Sequence, residues 1–482
     1  MKTLLFGLLL FSVSLFGSEG LKDSVVQIMT THKEYDYESP WSPPTVERSS
    51  GSGFIIEGKR IITNAHVIEE ASFIQVRSAT SREWYEASVK FVGHDCDLAI
   101  IELDDPSFFE GKKTLEFGEH LLRQQEEVAV HGFPMGGREL SVTKGIVSRV
   151  EMGYYAHSGA YLLDAQIDAP INPGNSGGPV IANGKVVGIA HQVLCAGQNI
   201  GYMIPIPIIH HFMEEVEKGE YLGFPKNPLK VQSIRNPAMR TFYGLDEGKG
   251  GLLVCGIPEN HYLSDVLEVG DILFQIDGHE VDSHGWIELS DMDISLPFQY
   301  VIMMKHFGDS LDIVLMRNGE VKEVSVVIDF NRRGTSLVQQ EFDKPPTYYI
   351  SGGFVFQPLV ENFLYDVEID PSLWVIDLFY HLFRGKVEQG RDEVVVLSRV
   401  LNDVINVGYQ YLEKKIIDKV NGKPIKNLKD LIQQIETSTD PYLVIETQDG
   451  LEIVLDQEQM KKRSPVILNR YSIPYDRSGD LR

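Results

Sequence analysis

Short apolar runs separated by turn residues dominate the chain from Ser24 onward. Each run is only a few residues long, and Gly, Pro or Asn residues separate the runs from one another. Representative runs are Val25–Ile28, Phe54–Ile56, Phe73–Val76, Leu98–Ile101 and Val128–Val130. Short strands at close spacing are typical of β-sandwiches and β-barrels. The pattern therefore predicts a mainly β domain that continues to the first helical segment.

The first helical periodicity lies at Ile206–Lys218, where apolar residues such as Phe212 and Val216 recur at helical spacing. Pro207 stands in the first turn, where proline is tolerated. Gly219 follows the last turn, where glycine commonly ends a helix. We therefore expect a helix here that closes the β domain.

Two later segments, Leu267–Gly278 and Leu412–Gly422, resemble each other. Each is a predicted strand that ends in Asp-Gly or Asn-Gly, which is a strong signal for a tight turn. A β-rich stretch precedes each of them, at Gly251–Ile257 and at Val394–Leu397. Their separation is too long for a solenoid repeat. It indicates two copies of one small domain, with a polar seam near Asn331–Gly334.

The first residues have the pattern of an export signal. Lys2 gives a charged start, Leu4–Phe16 is apolar but too short to cross a bilayer, and Gly20 completes a small-residue cleavage site. A buried N-terminal helix is the alternative. We expect a soluble mature protein in the periplasm or cell envelope, or alternatively a secreted one.

Acidic residues outnumber basic ones, since 69 Asp and Glu face 44 Lys and Arg and give a formal net charge of −25. This balance excludes a general nucleic-acid binder and a polybasic membrane-surface protein, because both need a basic face. Three cysteines, Cys96, Cys195 and Cys255, are too few for a disulfide-built scaffold. We expect free thiols.

The segment Asn172–Pro179, Asn-Pro-Gly-Asn-Ser-Gly-Gly-Pro, carries the strongest candidate chemistry. A nucleophilic serine needs a tight turn that exposes its hydroxyl and directs backbone N–H groups at the developing oxyanion. The glycines around Ser176 allow such a turn. The N–H groups of Gly174 and Ser176 would then form the oxyanion hole. For this segment alone, a glycine-rich hairpin without chemistry is the alternative.

A histidine and an aspartate earlier in the chain complete a candidate catalytic triad. His66 follows a predicted strand and is a candidate general base. Asp97 stands at the head of an apolar strand and could orient the imidazole. Separately, they could be a structural histidine and a surface carboxylate. The order His66, Asp97, Ser176 is that of chymotrypsin-type serine proteases rather than of subtilisins or α/β-hydrolases.

The segments TNAHV, DCDLAI and GNSGGP resemble the HtrA/DegP family of trypsin-like serine proteases. Gly132–Val150 and Ile200–Ile209 resemble further landmarks of that family's barrels. Gly352–Leu359 and Asn406–Gln410 are similar to its two-PDZ, plant-type Deg branch. The resemblance implies an ATP-independent serine endopeptidase that degrades unfolded or damaged proteins in quality control. From the residues themselves we expect no cofactor and no metal, because the adjacent His210 and His211 cannot share one face of a helix as chelating ligands would.

The same resemblance assigns the role of base to His66, of orienting carboxylate to Asp97 and of nucleophile to Ser176. It also implies a homotrimer or a multiple of it, built through the N-terminal segment of the barrel. That segment contains three aromatic residues, Tyr35, Tyr37 and Trp41. They are candidates for subunit contacts, although they could equally cover the barrel.

The substrate pocket of this fold lies beside the nucleophile, and its expected lining is Pro170, Ile171, Asn172, Ile189 and His191. No carboxylate is among them, so a Lys or Arg side chain would be buried without a partner. We therefore expect Val, Ala or Leu before the scissile bond. The strand Val187–Gln192 is expected to pair with the substrate backbone. A second general base is the alternative role for His191.

PDZ-like domains bind extended C-termini by strand addition, and backbone N–H groups hold the carboxylate. Leu222, Gly223 and Phe224 have the sequence of such a peptide-binding loop in the first domain, and an ordinary strand start is the alternative. The matching stretch of the second domain, Gly353–Phe356, is less suited to this role. We expect that second copy to serve assembly instead.

The expected fold is mainly β, a chymotrypsin-like double β-barrel followed by two PDZ-like α+β domains. The expected bounds are 1–20 for a signal peptide, 21–219 for the protease domain, 220–333 and 334–460 for the PDZ-like domains, and 461–482 for a C-terminal tail. A chaperone or binding scaffold in which cleavage is minor is the competing hypothesis. The complete triad favours the enzyme.

Overall fold

The structure is a computed structural model that describes most of the chain. The described ranges are 18–134, 137–193, 200–246, 250–258, 260–290, 292–333, 336–365, 378, 380–382 and 391–482. The expected signal peptide lies outside these ranges except for its last three residues, and Cys195 lies outside them as well. Among the described residues, no helix is long and apolar enough to span a membrane.

The chain forms two compact units. The first contains the described residues up to 30 together with 48–68 and 73–223, and the second contains 31–47, 69–72 and 224–482. The helices of the described residues are α1 (Ser18–Ser24), α2 (Ala65–Ile68), α3 (Ile206–Lys218), α4 (Pro237–Phe242), α5 (Gln299–Met303), α6 (Glu361–Tyr365), α7 (Leu428–Thr437) and α8 (Gln457–Arg470).

Two closed six-stranded barrels carry the first unit. The first barrel has the order β1-β2-β3-β6-β5-β4, with strands β1 (Val25–Glu34), β2 (Thr45–Ile56), β3 (Arg60–Thr63), β4 (Ala71–Ser78), β5 (Tyr85–Gly93) and β6 (Leu98–Leu103). The second has the order β10-β11-β12-β9-β8-β7, with strands β7 (Glu127–Gly132), β8 (Ser141–Tyr154), β9 (Tyr161–Ile167), β10 (Pro179–Ala182), β11 (Lys185–Val193) and β12 (Gly201–Pro205). The predicted double β-barrel is confirmed.

The predicted helix at the end of the barrels is also confirmed, with the expected bounds. α3 begins after Pro205 and ends at Gly219, whose φ of 96° is the left-handed conformation that glycine adopts without strain. Phe212 and Val216 are buried on its inner face. The apolar stripe therefore fixes the helix against the barrel, and α3 contacts β11 and β12.

Two sheets dominate the second unit. One has the order β13-β14-β15-β19-β20, with strands β13 (Lys230–Ser233), β14 (Leu252–Gly256), β15 (Ile272–Ile276), β19 (Ser310–Arg317) and β20 (Glu320–Val327). The short strand β16 (His279–Glu280) pairs with β15. Strands β17 (Trp286–Leu289) and β18 (Ile294–Pro297) form a separate two-stranded sheet. The other has the order β21-β22-β23-β24-β26-β27, with β21 (Tyr349–Ser351), β22 (Phe354–Pro358), β23 (Val395–Val400), β24 (Lys415–Val420), β25 (Lys423–Pro424) on β24, β26 (Tyr442–Thr447) and β27 (Glu452–Asp456). The repeated sequence segments form β15 and β24, which occupy matching places in the two sheets.

The two sheets differ at one edge. In the second sheet the extra strand β21 pairs with β22, and the C-terminal residues continue this edge. Ile350 N donates to Asp476 O at 2.6 Å, and Ser478 N donates to Tyr348 O at 3.0 Å. The expected boundary at residue 460 falls inside α8. The tail after it is thus a part of the second sheet's domain.

The aromatic residues near the N-terminus make contacts within the second unit. Tyr37 is 7% exposed and lies in an apolar cluster with Val338, and Tyr35 packs at the margin of the same cluster. Trp41 contacts the ring of Tyr348, with ring centroids 6.4 Å apart. Tyr35 and Trp41 are half-buried, and their role in subunit contacts stays a prediction.

Candidate active site

His66 and Asp97 are held together by the first barrel. His66 lies in the single-turn helix α2 directly after β3, and Asp97 lies in the turn that leads into β6. The φ of Asp97 is 54°, a left-handed conformation in which Asp is more common than most residues. His66 Nδ1 is 2.8 Å from Asp97 Oδ2, and His66 N donates to Asp97 Oδ1 at 2.9 Å. One carboxylate therefore fixes both the ring and the backbone of His66.

The charge of Asp97 is kept although the residue is only 1% exposed. Burial raises the pKa of this carboxyl, but His66, His157 and His191 outweigh burial and bring the pKa below its ordinary value. Asn64 Nδ2 also donates to Asp97 O at 2.8 Å and fixes the turn. Because an ionised carboxylate only accepts hydrogen bonds, the proton lies on His66 Nδ1. Nε2 of His66 is thereby left as the basic nitrogen.

Ser176 lies in a tight turn between β9 and β10. Gly174 and Gly177 have φ values of 98° and 81°, which only glycine adopts freely. Asn175 N donates to Asn172 O at 2.9 Å and closes the turn. Within the described residues, neither Gly174 N–H nor Ser176 N–H donates a hydrogen bond. Both groups are thus available to an incoming oxyanion.

The hydroxyl of Ser176 is held weakly. It donates to the carbonyl oxygen of His191 at 3.5 Å, the upper limit of a hydrogen bond. His191 in turn has its Nδ1 3.9 Å from Asp97 Oδ2. Asp97 therefore contacts His66 on one side and faces the His191 ring on the other, while the main-chain carbonyl of His191 holds the Ser176 hydroxyl.

Ser52 on β2 is a site residue that sequence reasoning missed. Its N–H donates to Ser176 O at 2.8 Å, and its hydroxyl donates to Gly174 O at 2.6 Å and accepts from Phe133 N at 2.9 Å. A Cβ on Gly177 would lie 2.1 Å from Ser52 O. The turn is thus packed directly onto this strand. The only sequence signal is a serine between two glycines at the start of an apolar run.

The expected pocket residues divide into two groups. Pro170 and Asn172 are exposed, whereas Ile171, Ile189 and His191 are buried. Ile171 packs into the core of the second barrel. A substrate would therefore meet the two exposed residues and the main chain beside the buried ones. The side chains of Ile189 and His191 are directed into the interior instead.

The expected substrate-pairing strand is largely occupied. β11 pairs with β10 along its first half and with β12 along its second half. Ala190 continues the first contact, because its N–H donates to Gly178 O at 3.0 Å and its carbonyl accepts from Gly177 N at 2.8 Å. Strand addition along the whole of Val187–Gln192 is therefore wrong. A substrate backbone could pair only beyond Ala190.

The expected peptide-binding loop already binds a carboxylate of the chain itself. The N–H groups of Leu222 and Gly223 donate to Glu215 Oε2 at 2.8 and 3.2 Å. Glu215 is a buried residue of α3, and Phe224 is buried as well. A peptide C-terminus would have to displace Glu215 in order to use these two N–H groups.

Two cysteines fall within the described residues, and both are free thiols. Cys96 is buried beside Asp97, and burial raises the pKa of its thiol well above the ordinary value. Tyr221 Oη lies 3.2 Å from its sulfur. The thiol is therefore a neutral packing group of the site and not a reactive one.

Comparisons with known proteins agree with the geometry. A family model described as a trypsin-like peptidase domain matches residues 51–189, and one described as a PDZ domain matches residues 337–480. Protease Do-like 2, chloroplastic, of Arabidopsis thaliana is 37% identical over 467 residues, which cover 95% of this chain and 75% of that protein. Protease Do-like 4, mitochondrial, of the same plant is 36% identical and covers 94% and 84%.

A solved structure supports the fold. The HtrA-type protease AlgW with a decapeptide, in a variant form, aligns with a TM-score of 0.50 at 23% identity and covers 64% of this chain and 94% of its own. At this identity the likeness speaks for the fold alone.

The expected location is corrected by these relatives. Proteins that match nearly the whole chain are chloroplastic and mitochondrial, which points to an organelle and contradicts a periplasmic or secreted location. An apolar N-terminal stretch alone did not carry enough information to distinguish these destinations.

The identity to the Do-like proteases spans almost the entire chain and includes both the barrels and the PDZ region. The matching family models describe the same two parts. The chain therefore belongs to the Do-like, HtrA-type family of serine proteases with a PDZ domain, and it is a serine endopeptidase.

Proposed function

We propose that this endopeptidase degrades unfolded or damaged polypeptides without ATP, in protein quality control, with His66 as general base, Asp97 as orienting group and Ser176 as nucleophile. The observation that carries the proposal is the 2.8 Å contact between His66 and the buried Asp97, next to a turn that presents Ser176. The net charge of −25 should also keep the protein soluble while it binds aggregation-prone unfolded polypeptides.

In the proposed reaction, Ser176 Oγ attacks the scissile carbonyl carbon while its proton passes to His66 Nε2. Asp97 stabilises the imidazolium that forms, and the N–H groups of Gly174 and Ser176 stabilise the oxyanion. When the intermediate collapses, His66 gives the proton to the leaving amine and an acyl-enzyme remains. Water then repeats the sequence with His66 as base, and this releases the acid product and regenerates the Ser176 hydroxyl.

Digestion of unfolded casein tests the proposal. Wild-type protein should degrade casein equally with and without ATP, and Ser176→Ala should leave it intact. A stably folded globular domain, offered in place of casein, serves as the negative control and should not be degraded. Intact casein with wild-type protein, at several temperatures and with added activating C-terminal peptides, would favour the chaperone or scaffold hypothesis instead.

The proposed substrate preference is for Val, Ala or Leu before the scissile bond. It rests on the absence of a carboxylate from the five expected pocket residues, of which Pro170 and Asn172 are exposed. Mass-spectrometric sequencing of casein fragments measures the preference. Fragments that end mainly in Lys or Arg would contradict it.

The proposed role of Leu222, Gly223 and Phe224 is to bind C-terminal carboxylates in the first PDZ-like domain. The support is that two of their N–H groups already hold the carboxylate of Glu215. Fluorescence anisotropy with a labelled C-terminal peptide tests this role. Glu215→Ala should bind the peptide at least tenfold more tightly than wild type, and an amidated peptide should not bind.

Assembly into a homotrimer or a multiple of it remains a proposal, drawn from the family resemblance. Of the three aromatic residues proposed for the subunit contact, Tyr37 is buried, so the half-buried Tyr35 and Trp41 are the remaining candidates. Light scattering after size-exclusion chromatography measures the assembly directly. A monomer at micromolar concentration would contradict it.

A further inference from the structure

A second buried imidazole lies behind the candidate triad. His191 on β11 is 4% exposed, and its Nε2 lies 3.2 Å from Oδ1 of Asp164 on β9. Asp164 is 1% exposed and also accepts a hydrogen bond from Ala165 N at 2.9 Å. The ring of Tyr155 covers His191, with centroids 4.6 Å apart. His191 is therefore anchored on two sides.

The other nitrogen of His191 faces the triad. Nδ1 of His191 lies 3.9 Å from Oδ2 of Asp97, the same oxygen that contacts His66 Nδ1 at 2.8 Å. One carboxylate oxygen thus faces two imidazoles, one close and one at the limit of an ion pair. A buried carboxylate distributes its attraction between such neighbours, so removal of one imidazole changes the field that acts on the other.

The main chain of His191 makes a separate contact. Its carbonyl oxygen accepts the 3.5 Å hydrogen bond from Ser176 Oγ. Side-chain anchoring by Asp164 and Tyr155, together with the pairing of β11 with β12, therefore supports the position of this carbonyl. If the His191 side chain could rotate freely, the carbonyl oxygen that accepts the hydrogen bond from Ser176 Oγ would be held less firmly.

We propose that His191, anchored by Asp164, is a positioning residue for the reaction: it limits how strongly Asp97 draws a proton onto His66, and it places the carbonyl that holds Ser176. The proposal rests on the proposed roles of His66, Asp97 and Ser176.

The charges around His191 define the expected effect. Asp164 faces its Nε2 and Asp97 faces its Nδ1, while Tyr155 is neutral because burial raises its pKa well above the ordinary value. Around Asp97, the other titratable neighbours are His66, His157 and Cys96, and the thiol is neutral for the same reason. Without His191, the negative charges act on His66 alone. His66 then holds its proton more firmly and becomes a base only at higher pH.

The test compares kcat and KM from pH 5 to 9 with a peptide that wild-type protein cleaves. His191→Phe keeps the ring against Tyr155 and should move the acid limb of kcat/KM to higher pH by about half a unit or more. Its kcat at pH 8 should fall about tenfold with KM within twofold of wild type. Tyr154→Phe, which removes the hydroxyl of an exposed tyrosine on β8, is the control and should leave the acid limb unchanged.

A second pair of variants separates anchoring from packing. Asp164→Ala should lower kcat about tenfold because His191 loses its anchor. Asp164→Asn keeps an acceptor of the same size, and it should restore most of the activity. Equal losses in both variants would overturn the anchoring role. This pair decides the matter even where His191→Phe does not fold.

The outcomes also separate this proposal from the proposed function. An unchanged acid limb in folded His191→Phe, with Ser176 still labelled by a fluorophosphonate, overturns the positioning role and leaves the triad intact. Wild-type protein that takes no label at Ser176 overturns the proposed function itself.

Discussion

The two barrels contribute to the candidate site in different ways. The first barrel holds His66 and Asp97 as a rigid pair, joined by contacts of 2.8 to 3.0 Å around a buried charge. The second barrel presents Ser176 on a turn whose main chain is fixed but whose hydroxyl bond is 3.5 Å long. The proposed base is thus held firmly by its partner carboxylate, while the hydroxyl of the proposed nucleophile is held only weakly. Hydrogen bonds of this kind often tighten only in the complex with substrate.

This difference has a physical reason. The base must keep one tautomer and one orientation throughout, so its partner is buried and charged. The serine must leave its resting contact in order to attack, so a strong hydrogen bond there would oppose the reaction. The position of Ser176 is therefore fixed through the backbone of its turn, which Ser52 and the glycines of the turn hold in place.

The largest effect is expected from breaking the rigid pair. Asp97→Asn should lower kcat about 10⁴-fold, because the amide favours the wrong His66 tautomer. Peptide hydrolysis measures this, and Asp104→Asn, an exposed carboxylate of the same region, is the matched control with unchanged activity. A loss under tenfold for Asp97→Asn would contradict the orienting role.

The next effect is expected from disturbing the nucleophile's turn. Gly177→Ala would place its Cβ 2.1 Å from Ser52 O and should lower kcat by about 10²-fold or more, as loss of an oxyanion donor does. Gly184 has a nearly identical φ of 80° with open space around it. Gly184→Ala is therefore a control for backbone strain alone, which costs about 1 kcal/mol of folding stability. Equal activity losses in the two variants would show that strain, and not the packing of the turn, is responsible.

A smaller effect is expected from loosening the same turn without a clash. Ser52→Ala removes the side-chain bonds to Gly174 O and Phe133 N, and kcat should fall about tenfold with a loss of about 1–3 kcal/mol in unfolding free energy. Ser88→Ala, at an exposed position of β5, is the control. Full activity in Ser52→Ala would mean that the turn keeps its shape without the hydrogen bonds of the Ser52 hydroxyl.

The smallest effect concerns pH. Burial raises the pKa of the Asp97 carboxyl, but the neighbouring imidazoles, His66 first, bring it below the ordinary value. The carboxylate therefore persists below the pH at which a free aspartate takes up a proton, and its contribution is lost only on further acidification. Activity should therefore fall on the acid side because His66 takes up a proton, as expected for an imidazole. The profile of kcat/KM against pH measures this. An acid limb that titrates in the carboxylate range would contradict it.

The parts of this account that the sequence predicts are local. The turn around Ser176 can be predicted because consecutive glycines and a proline are incompatible with a regular helix or a central strand. His66 follows β3 and Asp97 precedes β6, and these two strands pair in the first barrel, so their relation is visible in the order of the motifs. The repeated strands β15 and β24 are recognisable from their terminal Asp-Gly and Asn-Gly turns, respectively.

The remaining parts depend on contacts between distant segments. Ser52 and Gly174 O meet across two barrels, and no periodicity reports such a pair. Glu215 accepts hydrogen bonds from the N–H groups of Leu222 and Gly223 because the chain reverses direction after α3 ends at Gly219. An aromatic residue such as Tyr37 signals burial, but its pattern does not say which core receives it.

Active-site labelling shows whether Ser176 is the nucleophile. We expect a fluorophosphonate to add once to wild-type protein, peptide mass spectrometry to place the adduct on Ser176, and Ser176→Ala to take none. Labelling of Asp97→Asn should be much slower, while Asp104→Asn should react like wild type. An adduct on another residue, or equal labelling of wild type and Ser176→Ala, would rule out Ser176 as the nucleophile.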